Sequence, residues 1–248
     1  MTVILPAGSR MLRHALFWLA LALATLAPPA QAQVYWRFDT GWSKARDAGF
    51  HDNDFWQSGL ILGGSFYEAG RLDGLGESLH FGAGLGYCFS DSLRADVTVS
   101  YRDGYHLSGS DYDGFAPATY SAAVSSKALL VNGYYDFHAG GVRPYLGAGI
   151  GWARNTMGPM TQDWGFGFAT TIPGATTTSR AFALMAGVGI LVRGAILDVG
   201  YRYVDFGEFE SGTDGWAPAG GGMPAFRFPY GGGTGKLRAH ELTVGFRF

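Results

Sequence analysis

Hydrophobic and polar residues alternate with a period of two in eight separate segments of the chain after residue 33. In the clearest of them, Leu93, Val97 and Val99 share one face, whereas Arg94 and Asp96 share the other. Successive side chains of a β-strand point to opposite faces, so this period predicts strands with one apolar and one polar face. The segments cover about residues 33–43, 79–89, 93–102, 127–137, 145–152, 182–190, 197–203 and 241–248.

The connections between these segments alternate in length. Short ones lie at residues 90–92, 138–141 and 191–194, and long ones at 44–77, 103–126, 153–179 and 204–236. This asymmetry is typical of transmembrane barrels, whose strands need about 9–11 residues to cross a bilayer. We therefore predict an all-β fold: an eight-stranded antiparallel transmembrane up-and-down β-barrel with both termini on the periplasmic side. Residues 59–64 are apolar enough for a short extra strand, but we assign them to the first long loop.

The polar faces carry glycine and charged residues, and this decides which face points into the barrel. A soluble sandwich or lipocalin-like barrel would bury large apolar residues and expose its charges. In a membrane barrel the apolar face meets lipid and the polar face lines the lumen. The lumen charge set predicted in this way comprises Arg37, Asp39, Arg94, Asp96, Asp198, Arg202, Glu241 and Arg247.

These lumen charges have two alternative roles. Paired across neighbouring strands they would plug the barrel, and unpaired they would line a narrow pore. The interior of an eight-stranded barrel is just wide enough for side chains to fill, which favours the plug. Glu241 lies on the closing strand, whose expected neighbours are the first and seventh strands, so Arg37 and Arg202 are its expected partners.

The composition fits a membrane barrel better than a soluble domain. Of the 248 residues, 15% are charged and 40 are glycine, whereas about 25% of residues in a typical soluble domain are charged. The formal net charge of −2 provides no basic excess for nucleic-acid binding. Because Cys88 is the single cysteine, no intrachain disulfide can form, and sheet closure and the bilayer must stabilise the fold.

The N-terminus is typical of a secretory signal peptide. Arg10 and Arg13 precede an apolar run at residues 15–27, and a small-residue cleavage site follows. The run is shorter than the roughly 20 residues that a membrane-spanning helix requires, and no stop-transfer pattern follows, which disfavours the alternative of a retained anchor. We predict a signal peptide at residues 1–32 and an outer-membrane β-barrel domain at residues 33–248.

Four stretches of the chain resemble a known family. Residues 132–137 (NGYYDF), 143–151 (RPYLGAGIG), 197–203 (LDVGYRY) and 241–248 (ELTVGFRF) resemble the small outer-membrane barrels that include opacity-type adhesins, the OmpA membrane domain and the major surface antigens of alphaproteobacteria. The resemblance is specific only in the strands. It implies a surface-exposed structural or adhesive protein of a Gram-negative bacterium, because such proteins share a scaffold and differ in their loops.

The last strand also resembles an assembly signal. Leu242, Val244, Phe246 and Phe248 alternate up to an aromatic carboxy-terminus, which is similar to the signal read by the barrel assembly machinery. The same pattern is expected of any last strand with good alternation. Both interpretations can hold together, since the signal is itself a strand.

We find no residue pattern that points to catalysis, a metal or another cofactor. His106 and Ser108 have the His-x-Ser spacing used by lipid A deacylases, but they lie in a predicted loop with no acid placed beside them. The possible calcium ligands lack the regular spacing and the closing glutamate of a calcium loop: Asp47, Asp52, Asn53 and Asp54. We therefore expect no enzyme activity and no cofactor.

The expected function is that of a non-enzymatic outer-membrane structural protein or surface antigen, with adhesion or host contact through four long extracellular loops. The alternatives are a narrow passive pore and, third, a lipid-modifying enzyme. The expected partners are outer-membrane lipid, the barrel assembly machinery and a host or surface partner, with no nucleic acid. Aromatic residues in the loops either mark a partner surface or fold onto the barrel rim: Trp164, Phe166, Phe168, Trp216, Phe226, Phe228 and Tyr230.

Ala30 and Ala32 provide the small residues of the predicted cleavage site, so the purified mature protein is expected to begin at Gln33. N-terminal sequencing of protein from the membrane fraction tests this prediction. Residues upstream of Ala30 in the mature protein would contradict it.

Overall fold

The computed structural model describes residues 33–53, 71–72, 74–112, 117–163, 165, 167, 169–192, 194–219 and 224–248. Its strands are β1 (Gln33–Ala45), β2 (His51–Asp52), β3 (Arg71–Leu72), β4 (Glu77–Cys88), β5 (Leu93–Tyr112), β6 (Pro117–Asp136), β7 (Val142–Met157), β8 (Met160–Asp163), β9 (Ala169–Ile172), β10 (Ala175–Val192), β11 (Ala195–Glu210), β12 (Gly215–Ala217), β13 (Phe226–Phe228) and β14 (Gly233–Arg247). Within the described residues, no helix is long and apolar enough to cross a membrane.

Eight long strands form a closed antiparallel ring. Its order is β1, β4, β5, β6, β7, β10, β11 and β14, and each strand is hydrogen-bonded to the next. The ring closes between β1 and β14, where the register runs from Arg37 opposite Arg247 to Ala45 opposite Ala239. The predicted eight-stranded antiparallel barrel is confirmed. Because the long strands alternate in direction and their number is even, Gln33 and Phe248 lie at the same end of the barrel.

The outer wall is apolar and exposed. Val97 is 47% exposed and Ile150 and Leu184 are each 63% exposed, whereas Arg94 on the opposite face of β5 is 1% exposed. Contiguous apolar patches of more than a few hundred Å² are rare on surfaces that face water. The predicted orientation of the alternating faces is therefore confirmed, and this wall is the surface that meets lipid.

Aromatic side chains border the apolar wall at both ends. At the end with the short turns, Tyr135 packs edge-on against Phe137, and Phe246 stacks on Phe248. At the opposite end the border includes the exposed side chains of Trp42, Tyr101, Trp152 and Tyr201. Such girdles are typical of the two interfaces of a bilayer.

Several strands are longer than the alternation predicts. The sequence places loops at residues 103–126 and 153–179, but β5 and β6 pair as far as Tyr112 opposite Pro117, and β7 and β10 pair as far as Met157 opposite Ala175. Much of these two predicted loops is therefore strand. The barrel continues beyond its apolar band into water on the extracellular side.

The polarity of the two faces inverts where the barrel leaves the membrane. On β5 a register shift occurs between Asp103 and Tyr105, at a glycine with a positive φ of 132°. Beyond it Tyr105 and Leu107 are completely buried, and the intervening His106 is exposed. Water now surrounds the outer wall, so burial of apolar side chains inside becomes favourable. The extracellular core includes Tyr105, Leu107, Val124, Met157, Met160, Ile172, Phe206, Phe209 and Leu237.

Some of the predicted features lie outside the described residues. They are the signal peptide at residues 1–32, the apolar segment at 59–64, and Asp54, Trp164, Phe166 and Phe168. The first of the long connections, at residues 44–77, is described only at its two ends, where the short strands β2 and β3 pair with β14 and β5.

Replacement of Val97 by arginine is expected to lower the free energy of unfolding in lipid vesicles by about 2–4 kcal/mol, the cost of a cation facing lipid near the midplane. Val97 lies on the outer wall between Leu85 and Val131. The matched control is Ser108→Arg, which lies on the same strand and wall but beyond the apolar band, where a surface substitution costs less than about 0.5 kcal/mol. Equal losses of unfolding free energy for the two variants, measured by urea titration, would mean that Val97 does not face lipid.

Candidate functional site

The lumen at the level of the apolar band contains a balanced set of charges. Among the described residues, the buried charged side chains are five arginines and five carboxylates, together with His80. The structure places all eight residues of the predicted lumen charge set inside the barrel. The ten charged side chains are Arg37, Arg94, Arg102, Arg202, Arg247, Asp39, Asp96, Asp136, Asp198 and Glu241.

Glu241 joins two arginines at the extracellular end of this network. Its carboxylate accepts hydrogen bonds from Nε of Arg102 at 2.5 Å and from Nε of Arg202 at 2.6 Å. Arg102 Nη2 donates a further hydrogen bond to it at 3.1 Å, and the Ser43 hydroxyl donates another at 2.9 Å. Arg202 is an expected partner, but Arg37 is not bonded to Glu241. Arg102 takes the second position from β5, three strands away around the ring, because the side chains are long enough to meet across the lumen.

Arg37 instead connects the two carboxylates of the central layer. Its Nε lies 3.1 Å from Asp39, and its Nη1 lies 3.5 Å from Asp96. Asp39 also bonds Nε2 of His80 at 2.8 Å and lies 3.8 Å from Arg202. These contacts link the central layer to Arg202 and so to the Glu241 layer.

Aromatic and amide side chains complete the hydrogen bonding of Asp96. Asn132 donates to one carboxylate oxygen at 2.7 Å, and the Tyr35 hydroxyl donates to the other at 3.1 Å. The Tyr134 hydroxyl accepts a hydrogen bond from Arg37 at 2.6 Å. Buried polar groups are stable only when they are bonded in this way, and such networks hold one arrangement of the interior.

The third layer lies nearest the short turns. Arg94 Nε bonds Asp136 at 3.0 Å, and Arg247 Nε lies 2.7 Å from Asp198. The Arg94 guanidinium also lies over the Tyr134 ring, 3.8 Å from its centroid. Arg247 is 3.7 Å from Asp136, so one carboxylate bridges two arginines here as well.

Glycines on the inward faces provide the space for these side chains. A Cβ at Gly86 would overlap the Tyr35 ring, and one at Gly147 would overlap Tyr134. The alternating glycines therefore have a packing function, because the tyrosines lie where side chains of the neighbouring strands would otherwise point. Both the charges and the aromatic rings fill the lumen.

The period-two pattern places Arg102, Asp136 and His80 on inward faces as well, but the predicted lumen charge set did not include these three residues. Each carboxylate of the network lies within 4.0 Å of at least one arginine nitrogen, so the described lumen charges are paired.

The candidate catalytic residues lie on the outer wall and not in the barrel interior. His106 and Ser108 lie on β5, on the exposed outer wall, and not in a loop as expected. Their side chains point away from the barrel interior on an extended strand. In the described part of the chain, no group of three or more His, Cys, Asp or Glu side chains is arranged to hold a metal ion.

The loop aromatics divide between surface and core. Trp216 on β12 is 47% exposed and Phe226 on β13 is 41% exposed, whereas Tyr230 is buried. Phe228 is half-buried against the extracellular core. The terminal-strand residues are all exposed on the outer wall of β14 or immediately after it: Leu242, Val244, Phe246 and Phe248.

The sequence matches a protein family along most of its length. Residues 15–248 match the family described as the outer membrane protein beta-barrel domain. The chain belongs to this family. It is a β-barrel protein of the cell outer membrane, as the lipid-facing wall and the ring closure indicate.

One relative is named as an outer membrane protein and another as a candidate adhesin. The chain is 28% identical over 139 residues to the outer membrane protein PagN of Salmonella typhimurium, an alignment that covers 51% of this chain and 57% of PagN. It is 28% identical over 173 residues to RC1281 of Rickettsia conorii, which is named as a candidate adhesin, covering 66% of this chain and 65% of RC1281. The alignments thus span somewhat less than two thirds of these relatives.

Among solved structures, Neisserial surface protein A superimposes with a TM-score of 0.47 at 20% identity. The superposition covers 88% of this chain and 97% of that protein. The family assignment depends on the sequence match and not on this superposition.

Replacement of Glu241 by glutamine is expected to lower the free energy of unfolding by about 3–5 kcal/mol, because Arg102 and Arg202 would remain buried without their carboxylate. The matched control is Glu77→Gln on the outer wall, where Glu77 lies 3.6 Å from Lys44 and both side chains are about half exposed. Breaking a surface pair of this kind costs about 0–1 kcal/mol. Urea titration in lipid vesicles measures the free energy of unfolding of both variants. An unchanged midpoint for Glu241→Gln would contradict a paired lumen.

Proposed function

We propose that this protein is a non-enzymatic, non-conducting membrane scaffold that presents a rigid extracellular β-structure for contact with another surface. The observation that carries the proposal is the combination of a charge-balanced, filled lumen with an apolar core directly above it. The filled lumen disfavours a transport route through the barrel. The apolar core supports the extracellular strands as a stable platform.

The filled lumen argues against the pore. A pore requires charges that face water along a continuous path, whereas Arg102 and Glu241 are completely buried and bonded to each other. Above them, Tyr105 and Phe206 are also completely buried and close the extracellular end of the same lumen. A conducting state would have to break the ion pairs and also displace the apolar core.

The extracellular strands provide a defined contact surface. β12 and β13 pair with each other, and Trp216 also pairs with Thr171 on β9, so that these short strands extend the sheet. Trp216 and Phe226 are the exposed large aromatics on this extension. Exposed aromatics held on a rigid element lose little entropy when they are buried by a partner, which is why such residues often dominate binding energy.

The relatives support adhesion as the purpose of this contact. RC1281 is named as a candidate adhesin, and PagN is named as an outer membrane protein. Because the shared family defines the scaffold, any particular partner must be recognised by the extracellular part. We accordingly propose a host or other cell surface as the partner.

The barrel assembly machinery is a further proposed partner. The outward residues Leu242, Val244, Phe246 and Phe248 alternate along the last strand, and this strand must close against β1. A strand that is displayed before closure presents unpaired backbone groups, which another protein can bind by strand addition.

The double variant Trp216→Ala/Phe226→Ala is expected to reduce adhesion to cultured epithelial cells roughly tenfold or more, as loss of aromatic anchors does at protein interfaces. Bacteria that express the wild type or the variant at equal surface levels would be compared with bacteria that lack the barrel. The control is His106→Ala/Ser108→Ala, two exposed polar residues on the extracellular part of β5.

Planar-bilayer recordings of the wild type are expected to show only rare, small conductance events. Wild-type adhesion no greater than that of bacteria without the barrel would overturn the proposal. Steady conductance of the wild-type protein would also overturn it.

A further inference from the structure

Three basic side chains lie together on the outer wall at the extracellular border of the apolar band. Lys127 on β6 is opposite Arg154 on β7, and Arg154 is opposite Thr178 on β10. Arg180 is two residues further along β10, opposite Trp152, so it is a diagonal neighbour of Arg154 on the same face. Lys127, Arg154 and Arg180 are all exposed.

No carboxylate among the described residues forms an ion pair with this basic cluster. Among the described residues, no Asp or Glu oxygen lies within 4.0 Å of the side-chain nitrogens of Lys127, Arg154 or Arg180. Asp103, a diagonal neighbour of Lys127 in the β5–β6 register, forms no ion pair with it.

Two other basic residues of the wall at this end of the barrel do have acid partners. Lys44 lies 3.6 Å from Glu77, and Arg238 lies 2.9 Å from Asp205. Like charges that are adjacent on a sheet repel one another. The presence of three such positive charges side by side therefore favours the binding of an external anion, which would compensate them.

An apolar groove lies on the outer wall beside the basic cluster and reaches the residues two positions nearer the middle of the membrane. Its volume is about 670 Å³, and its lining includes Phe81, Val99, Leu129 and Trp152. Lys127 and Arg154 lie on the same lining. One end of the groove is therefore cationic and the rest is hydrocarbon-like.

The depth of the cluster corresponds to the lipid headgroups. Lys127 and the girdle residue Tyr135 are eight residues apart on β6, which is about 26 Å along a strand and about 20 Å along the membrane normal at the usual tilt. The Lys127 ammonium lies 5.6 Å from the centroid of Tyr101, an aromatic of the extracellular girdle. Cations at this depth can reach the phosphates of the outer leaflet while the groove contacts acyl chains.

We propose that Lys127, Arg154 and Arg180 bind a phosphate group of an acylated lipid in the outer leaflet, with one acyl chain in the groove below. The planar guanidinium groups of two arginines match phosphate oxygens, and the lysine adds a third positive charge. The bound lipid covers the apolar groove and neutralises the cluster at the same time. This site is on the opposite side of the barrel wall from the lumen and does not depend on the proposed adhesive function.

Native mass spectrometry of the full mature barrel released from phosphatidylcholine nanodiscs tests the site. The discs would contain a minor fraction of diphosphorylated lipid A or, in a parallel sample, of dephosphorylated lipid A. The wild type is expected to retain the diphosphorylated lipid, and Lys127→Gln/Arg154→Gln is expected to retain it roughly tenfold less, as loss of charge-assisted contacts predicts. The matched control Lys44→Gln/Arg238→Gln removes two paired basic residues at the same end and is expected to retain the lipid as the wild type does.

The outcomes separate the sources of binding. Equal retention of both lipids by the wild type would overturn the proposal, because acyl chains alone would then account for binding; this comparison needs no variant to fold. Equal losses in the two double variants would also overturn it, since total charge would then be sufficient. Displacement of the lipid by inorganic phosphate at low concentration would show an anion site without a lipid requirement and would contradict the groove's role.

Discussion

Closure of the strand ring between β1 and β14 is the constraint on which the other features depend. In hydrocarbon, every backbone N–H and C=O group must be bonded within the protein, and a sheet satisfies this only when it has no free edge. Pairing along Arg37–Ala45 and Ala239–Arg247 removes the last edge. Closure also creates an interior that lipid cannot enter, so the inward side chains must satisfy one another.

The charged network follows from this enclosure. Ten buried charges of balanced sign are favourable only if each finds a partner, and Glu241 does so by reaching Arg102 across the lumen as well as Arg202 beside it. Glycines such as Gly86 and Gly147 allow the tyrosines and arginines to fit in so narrow a space. The described interior charges are thereby balanced and paired, as the proposed scaffold function requires.

The solvent outside the wall explains the change in polarity along each strand. At the membrane, lipid favours Val97 outside and Arg94 inside; above it, water favours His106 outside and Leu107 inside. A register shift beside Gly104 marks this change on β5. The same boundary is where Lys127, Arg154 and Arg180 face the lipid headgroups, so the membrane surface determines both the extracellular core and the proposed lipid site.

The period of two in the sequence determined the strand type, the lipid-facing side, the strand number and the identity of the lumen charges. It could do so because successive side chains of a strand point to opposite faces in any tertiary fold. The same period also placed Arg102, Asp136 and His80 inside. Local alternation cannot specify contacts across the lumen, since these depend on barrel diameter and side-chain length. Only the tertiary structure therefore decided that Glu241 bonds Arg102 and not Arg37, and that residues 103–126 are mostly strand around an apolar core.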